Sequence, residues 1–261
     1  MSNPRLSLAL EGGLVLAETG RIAVFGPQAD TDLSALPMER CHVIQPFLPD
    51  NEHLRLSGFD CDVKAHGEYV AAIVFLPRSK PWARALIAQA SKLVAGGVLI
   101  VDGQKTDGVE SMLKECRKRV DVSGVISKSH GKVFWFEASA DFQDWEEAPQ
   151  DVGDGLMTVP GVFSADGIDP ASAFLGDTLP AKLGRYVADF GAGWGYLSSR
   201  ILTNEHVEAL HLVEADHRAL DCARRNVTDP RAQFHWADAT RWQTPVNLDS
   251  VVMNPPFSAA N

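Results

Sequence analysis

The sequence predicts an α/β protein made of two successive sheet-and-helix units, the second resembling the opening part of the first. Three observations carry that prediction. Short apolar runs bounded by turn residues alternate along the chain with stretches of helical period. A strand running into proline occurs twice, as Ala71-Ala-Ile-Val-Phe-Leu-Pro77 and as Asp249-Ser-Val-Val-Met-Asn-Pro255. The length of 261 residues, with 45% hydrophobic and 22% charged content, suits two modest soluble domains.

In the first half, residues 21–26, 42–47 and 69–76 read as strands, 81–93 and 108–120 as helices, and 97–102 as a buried strand. Residues 123–128 and 132–137, separated by Ser129-His-Gly131, read as a terminal hairpin. The acidic stretch 138–157, broken by proline and glycine, reads as a linker between a domain at 1–137 and another at 158–261. The second domain opens its sheet with an apolar strand ending at Asp189-Phe-Gly191. A second strand, 209–213, runs into Glu214-Ala-Asp216 and a helix at 218–226. A third unit, Gln233-Phe-His-Trp-Ala-Asp238, precedes the strand that ends in Asn254-Pro-Pro-Phe257.

The candidate chemistry lies at the ends of those strands. Gly191, Gly193 and Gly195 alternate in a loop that lets a ligand approach the backbone, and the helical pattern that follows offers amide donors to an anionic group. A dinucleotide fingerprint calls for glycine at position 196, where the chain has Tyr196, so nicotinamide chemistry is disfavoured. Asp189 argues the same way, because a strand-end carboxylate suits an ammonium or sulfonium ion better than a pyrophosphate. Glu214, about twenty residues past the loop, is placed to accept from both hydroxyls of a ribose. Asp238 is placed to accept from an adenine amine. At the last strand, Pro255 and Pro256 remove backbone donors and set a rigid corner. The side-chain oxygen of Asn254 and the carbonyl of Pro255 then both accept from one NH2 group, while Phe257 offers a stacking face. Taken singly, each acid is ordinary in a solvated loop and the prolines are an ordinary turn. Four signals in this order on successive strand ends are not.

The series Asp189-x-Gly191-x-Gly193-x-Gly195, Glu214, Asp238 and Asn254-Pro-Pro-Phe257 resembles the class I S-adenosylmethionine-dependent methyltransferases, in the branch that modifies exocyclic or amide nitrogens. Thr158-Val-Pro-Gly-Val-Phe-Ser164 with Gly167-Ile-Asp169 is similar to the segment introducing the catalytic domain in ribosomal RNA small-subunit guanine-N2 methyltransferases. Phe75-Leu-Pro-Arg-Ser-Lys80, Val98-Leu-Ile-Val-Asp-Gly-Gln-Lys105 and Gly131-Lys-Val-Phe-Trp-Phe136 resemble the non-catalytic half of the same family. The resemblance implies two tandem Rossmann-like methyltransferase domains. It implies that the glycine loop takes the methionine end of S-adenosylmethionine, with Asp189 beside it, Glu214 the ribose, Asp238 the adenine, and Asn254 to Phe257 the target base. The N-terminal copy reads as degenerate, since Leu76 stands where the second copy has Asn254 and Gly26 leads into Pro27. Measured against the first domain, the second is expected to continue past Asn261 by on the order of 70 residues. Adenine-N6 and protein glutamine-amide methylation use the same corner chemistry, and a non-catalytic ribosome-assembly scaffold retaining the fold is an alternative of another class.

The formal charge of −10 opposes RNA binding. Its distribution softens that objection: residues 77–132 hold eleven Lys and Arg against five Asp and Glu, a local +6. The N-terminal domain is therefore the expected platform for ribosomal RNA or the small subunit. Four scattered cysteines suggest reduced thiols in a cytosol, and the longest apolar run, 93–101, is too short to span a bilayer. Eight histidines without paired spacing give no metal site.

Overall fold

A computed structural model describes residues 4–255, and the chain divides into two compact units, Met1–Glu147 and Ala148–Asn261. Unit 1 is a seven-stranded sheet with helices on both faces. Its strands are β1 (Ile22–Phe25), β2 (Cys41–Ile44), β3 (Asp60–Asp62), β4 (Ala71–Phe75), β5 (Val98–Gln104), β6 (Val122–Lys128) and β7 (Gly131–Glu137), in the order β3-β2-β1-β4-β5-β7-β6. All pair in parallel except β7, which is antiparallel to both neighbours. The continuous apolar character of β1 follows from burial on both faces. Ala23 and Phe25 enter one core cluster, Ile22 and Val24 the other.

The helices of unit 1 are α1 (Pro4–Glu11), α2 (Leu48–Leu56), α3 (Lys80–Leu93) and α4 (Val109–Cys116). Helix α3 starts where Ser79 caps it and Pro81 occupies the first turn. The β6–β7 hairpin turns through Ser129 and His130, both at positive φ, a conformation matched to strand twist. Helix α1 is pinned by Arg5, whose guanidinium grips Asp102 of β5 through two bonds of 2.9 and 2.7 Å with both side chains buried.

The acidic stretch expected to be a linker is structured in its first part. Residues Ala140–Trp145 form a 3-10 turn that buries Phe142 and Trp145 in the core beside Phe134 and Phe136. Two aromatic rings supply apolar surface that the surrounding acids obscure in the sequence. Arg119 is occupied by this turn: it makes bonds of 2.6 and 2.7 Å to Asp144 and lies 4.5 Å over the Trp145 ring.

Unit 2 contains a short hairpin of β8 (Gln150–Asp151) and β9 (Met157–Thr158), then α5 (Pro170–Asp177), β10 (Tyr186–Phe190), α6 (Tyr196–Ile201), β11 (Ala209–Glu214), α7 (His217–Asn226), β12 (Ala232–Trp236) and β13 (Ser250–Met253). Its four-stranded parallel sheet has the order β12-β11-β10-β13, which repeats β3-β2-β1-β4 of unit 1. The repetition extends to single bonds. Gly26 after β1 donates to Ile44 at 3.0 Å with φ +67, and Gly191 after β10 donates to Val213 at 2.9 Å with φ +70.

Candidate active site

In an open parallel sheet the strand order reverses at one point, and the loops leaving the neighbouring strands there diverge to open a crevice. In unit 2 that point lies between β10 and β13. Their register pairs Asp189 with Val252 and Phe190 with Met253, so the glycine loop and Asn254 leave the sheet side by side. Asp249 fixes the register by accepting from the backbone N–H groups of Arg185 and Tyr186 at 2.7 and 2.9 Å.

The three loop glycines have different reasons to be glycine. All have positive φ, at +70, +56 and +94 for Gly191, Gly193 and Gly195. A Cβ on Gly191 or Gly193 would meet nothing within 4 Å, so these two border open space. A Cβ on Gly195 would lie 2.8 Å from Val227 and 3.3 Å from Ala223, so this glycine lets the loop pack against α7.

Beneath the loop the acceptors outnumber the donors. Asp189 is fully buried; its Oδ2 accepts from Ser198 Oγ at 2.6 Å, and its Oδ1 is buried with no partner among the described residues. Burial, reinforced by the charge of Glu214, pushes its carboxyl up to about 7. Glu214 accepts from the Gly193 N–H at 2.8 Å and the Asp216 N–H at 2.7 Å, and burial raises its pKa as well. A carboxylate has about four acceptor positions. Glu214 thus keeps capacity for two hydroxyl donors, although it consumes a loop amide that the sequence left free for a ligand.

Asp238, just beyond β12, is committed to its own turn. It accepts from Thr240 N–H at 2.9 Å, Thr240 Oγ1 at 2.6 Å and Arg241 Nε at 3.0 Å. The Thr240 bonds, with help from Arg241, hold its carboxyl below the usual range. Little acceptor capacity remains for an adenine amine.

Asn254 is held from outside its own motif. Its Nδ2 donates to Asp169 Oδ2 at 2.9 Å and to Ser172 Oγ at 2.8 Å. Asp169 caps α5 by accepting from the Ser172 N–H at 2.8 Å, and that bond leads the causes holding its carboxyl below the ordinary value. An ionised carboxylate only accepts, so the amide must turn its NH2 toward Asp169 and present its oxygen on the other side. Pro255 follows, exposed, whereas Pro256 and Phe257 lie outside the described residues.

Residues 155–261 match the family described as the methyltransferase small domain. The C-terminal unit is thus similar to a methyltransferase domain. Similar curated proteins share more of the chain. A ribosomal RNA small subunit methyltransferase C from Shewanella piezotolerans is 28% identical over 88% of this chain and 70% of its own length. The protein of that name from Hahella chejuensis is 26% identical over 98% and 80%. One from Pseudomonas aeruginosa is 26% identical over 73% of this chain, which spans 60% of that relative's length. Among solved structures, the T. thermophilus 16S rRNA N2 G1207 methyltransferase, in complex with AdoMet and guanosine, superposes with a TM-score of 0.77 at 23% identity. That match covers 99% of this chain and 76% of the other, and it agrees with two Rossmann-like units in tandem. The resemblance read from the loop, the strand-end acids and the Asn-Pro-Pro corner is borne out.

Sequence reasoning gave Asp169 and Ser172 of the C-terminal unit no role. The available signal was Asp169-Pro170, an N-cap followed by proline at the first helical position, which predicts a helix start but not what the cap faces. Phe163 is 56% exposed, while its carbonyl accepts from the Trp194 indole at 3.1 Å. Val159 and Val162 beside it pack on Trp194, Ala219 and Cys222, fixing this segment against α7 and the glycine loop.

Proposed function

We propose that this chain is an S-adenosylmethionine-dependent methyltransferase acting on the exocyclic N2 amine of a guanine in small-subunit ribosomal RNA. The observation that carries the reading is the anchored Asn254, whose NH2 is held by Asp169 and Ser172 so that its side-chain oxygen is left to accept from a target amine. The residues fit the cofactor. The unpartnered Asp189 oxygen suits a cationic group, the space over Gly191 and Gly193 admits a ligand, and Glu214 keeps acceptor positions for ribose hydroxyls.

Bound S-adenosylmethionine supplies an activated methyl group, so the protein's work is alignment and polarisation. Two acceptors at Asn254 and Pro255 hold both protons of the target NH2 and keep its lone pair out of conjugation with the base. No strong base is needed before transfer, because the amine becomes cationic first and only then loses its proton, to the Asn254 oxygen, the Pro255 carbonyl or water. Phe257 is assigned the stacking face for an unstacked base. Asp238 is the weakest assignment, since its own turn occupies most of it.

The choice of guanine N2 over adenine N6 or a glutamine amide draws support from the named relatives and from unit 1. There Lys105, Lys128 and Lys132 line a groove of about 300 Å³ beside His130; Glu110 also lines it and pairs with Lys132 at 3.8 Å, leaving Lys105 and Lys128 as the cations a phosphate backbone would meet. Among the described residues no helix is long and apolar enough to cross a membrane. The test is methyl transfer to small ribosomal subunits followed by nucleoside mass spectrometry. N2-methylguanosine that disappears with Asn254→Ala is the expected product; methyladenosine, methylglutamine, or cofactor binding without transfer would each overturn the assignment.

A further inference from the structure

Four groups in unit 1 set a hydrogen-bonding problem that they do not solve among themselves. His42 of β2 is fully buried, with Nδ1 at 2.5 Å from Tyr69 Oη and Nε2 at 3.0 Å from Asp62 Oδ2. The tyrosine hydroxyl has one proton, which it donates to the His66 carbonyl at 2.6 Å, and it accepts from the His66 N–H at 2.9 Å. What faces His42 is therefore a lone pair, so Nδ1 of His42 must be the donor. A neutral imidazole has one N–H. Its Nε2 then points a lone pair at a carboxylate oxygen, two acceptors 3.0 Å apart. His66 brings a second imidazole nitrogen to the same carboxylate, its Nδ1 lying 3.4 Å from that Asp62 oxygen.

A cation between these atoms removes the conflict. The nearby Arg21 guanidinium is bound to Asp60 at 2.7 Å and to the His66 carbonyl at 3.2 Å. Arg21 has its charge met by Asp60, so it leaves the Asp62 carboxylate to another cation. We infer that His42, Asp62 and His66 form a site for a divalent transition-metal ion of the zinc type. Their three ligand atoms lie within 4.8 Å of one another. Nitrogen and oxygen ligands about 2.0–2.1 Å from a tetrahedral zinc ion lie about 3.3 Å apart. The 3.0 and 3.4 Å separations bracket that value. The bond from Nδ1 to Tyr69 fixes the tautomer and leaves Nε2 as the ligating atom.

The fourth position opens to solvent, because the Asp62 and His66 side chains are 46% and 63% exposed. The ion would clip β3, a three-residue edge strand, to β2 and to the loop carrying His66. Sequence spacing could not reveal this. The ligands come from two strands and a loop, and only parallel pairing of β2 with β3 brings His42 near Asp62.

The experiment titrates chelator-stripped full chain with zinc chloride by calorimetry and with cobalt chloride by visible absorption. Asp62→Asn and His66→Gln alter exposed side chains and leave the core intact, which far-ultraviolet circular dichroism checks. The expected result is one equivalent of Zn2+ per chain, an intense four-coordinate Co2+ spectrum, and at least a tenfold loss of affinity in each variant. Cys61→Ser, whose thiol is a neighbouring candidate ligand outside the set, is expected to bind as the parent does. Absence of a one-equivalent site, a site unchanged by both variants, or a site lost with Cys61 would overturn the inference. None of these readouts depends on methyl transfer.

Discussion

Removing the carboxylate that anchors Asn254 isolates orientation from chemistry. In Asp169→Ala the Asn254 amide loses a 2.9 Å bond to a charged acceptor and keeps only the 2.8 Å contact to Ser172. A hydrogen bond to a charged partner contributes about 1.5–3 kcal/mol. If that energy sets the preference for the outward-facing oxygen, its loss reduces the competent population by roughly 10- to 150-fold. Asp169 also caps α5, so the variant loses about 1 kcal/mol of stability, which leaves the unit folded. The assay is single-turnover methyl transfer at saturating cofactor, with cofactor affinity measured separately by calorimetry. The expected outcome is a rate 10- to 100-fold lower with cofactor affinity within about twofold of the parent. Asp169→Asn keeps a cap and a neutral acceptor, so its rate falls between the two. A parental rate in Asp169→Ala, or an equal loss of rate and cofactor affinity, would refute the anchoring argument.

The other predictions concern the loop, the buried acid and the basic groove. Gly193→Ala is expected to cost about 1–2 kcal/mol of stability but to lose cofactor affinity more than tenfold by crowding the open cradle. Gly195→Ala adds a clash with Val227 and is expected to cost about 2–5 kcal/mol, read by thermal melting; equal effects at the two positions would contradict their different surroundings. Because the folded pKa of Asp189 is raised to about 7, its stability contribution is fully present below the unfolded value near 3.8 and is lost as pH rises toward 7. Asp189→Asn should therefore flatten the pH dependence in urea melts and stabilise the ligand-free protein at pH 8 by a few kcal/mol, while weakening the cofactor. Lys105→Glu with Lys128→Glu should weaken RNA binding, flatten its salt dependence and leave cofactor binding unchanged; an unaltered salt slope would remove the groove from the RNA surface.

Much of the fold was legible because it is written locally. The strand and helix of residues 98–104 and 80–93 follow from an apolar run and from a Ser-Lys-Pro start, and the β6–β7 hairpin from two short strands around Ser129-His-Gly131. The short α1, α2, α5 and β3 escaped notice, since their apolar periodicity is weak and tertiary packing completes them. Phe142 and Trp145 show the same limit, because an acidic composition conceals two core residues.

The sequence by itself determined the tandem α/β architecture, the glycine loop and the order of polar residues on successive strand ends, since each depends on neighbours within a few residues. Only the tertiary structure decided how those residues are used. It turns the Asn254 NH2 toward a cap 85 residues away and leaves one Asp189 oxygen without a partner among the described residues. It also spends Asp238 on its own turn and gathers His42, Asp62 and His66 at a sheet edge. The physical reason is common to all four. Backbone preference and periodicity act along the chain, whereas the partner of a side chain is set by strand register and loop path, which bring together groups that local sequence cannot relate.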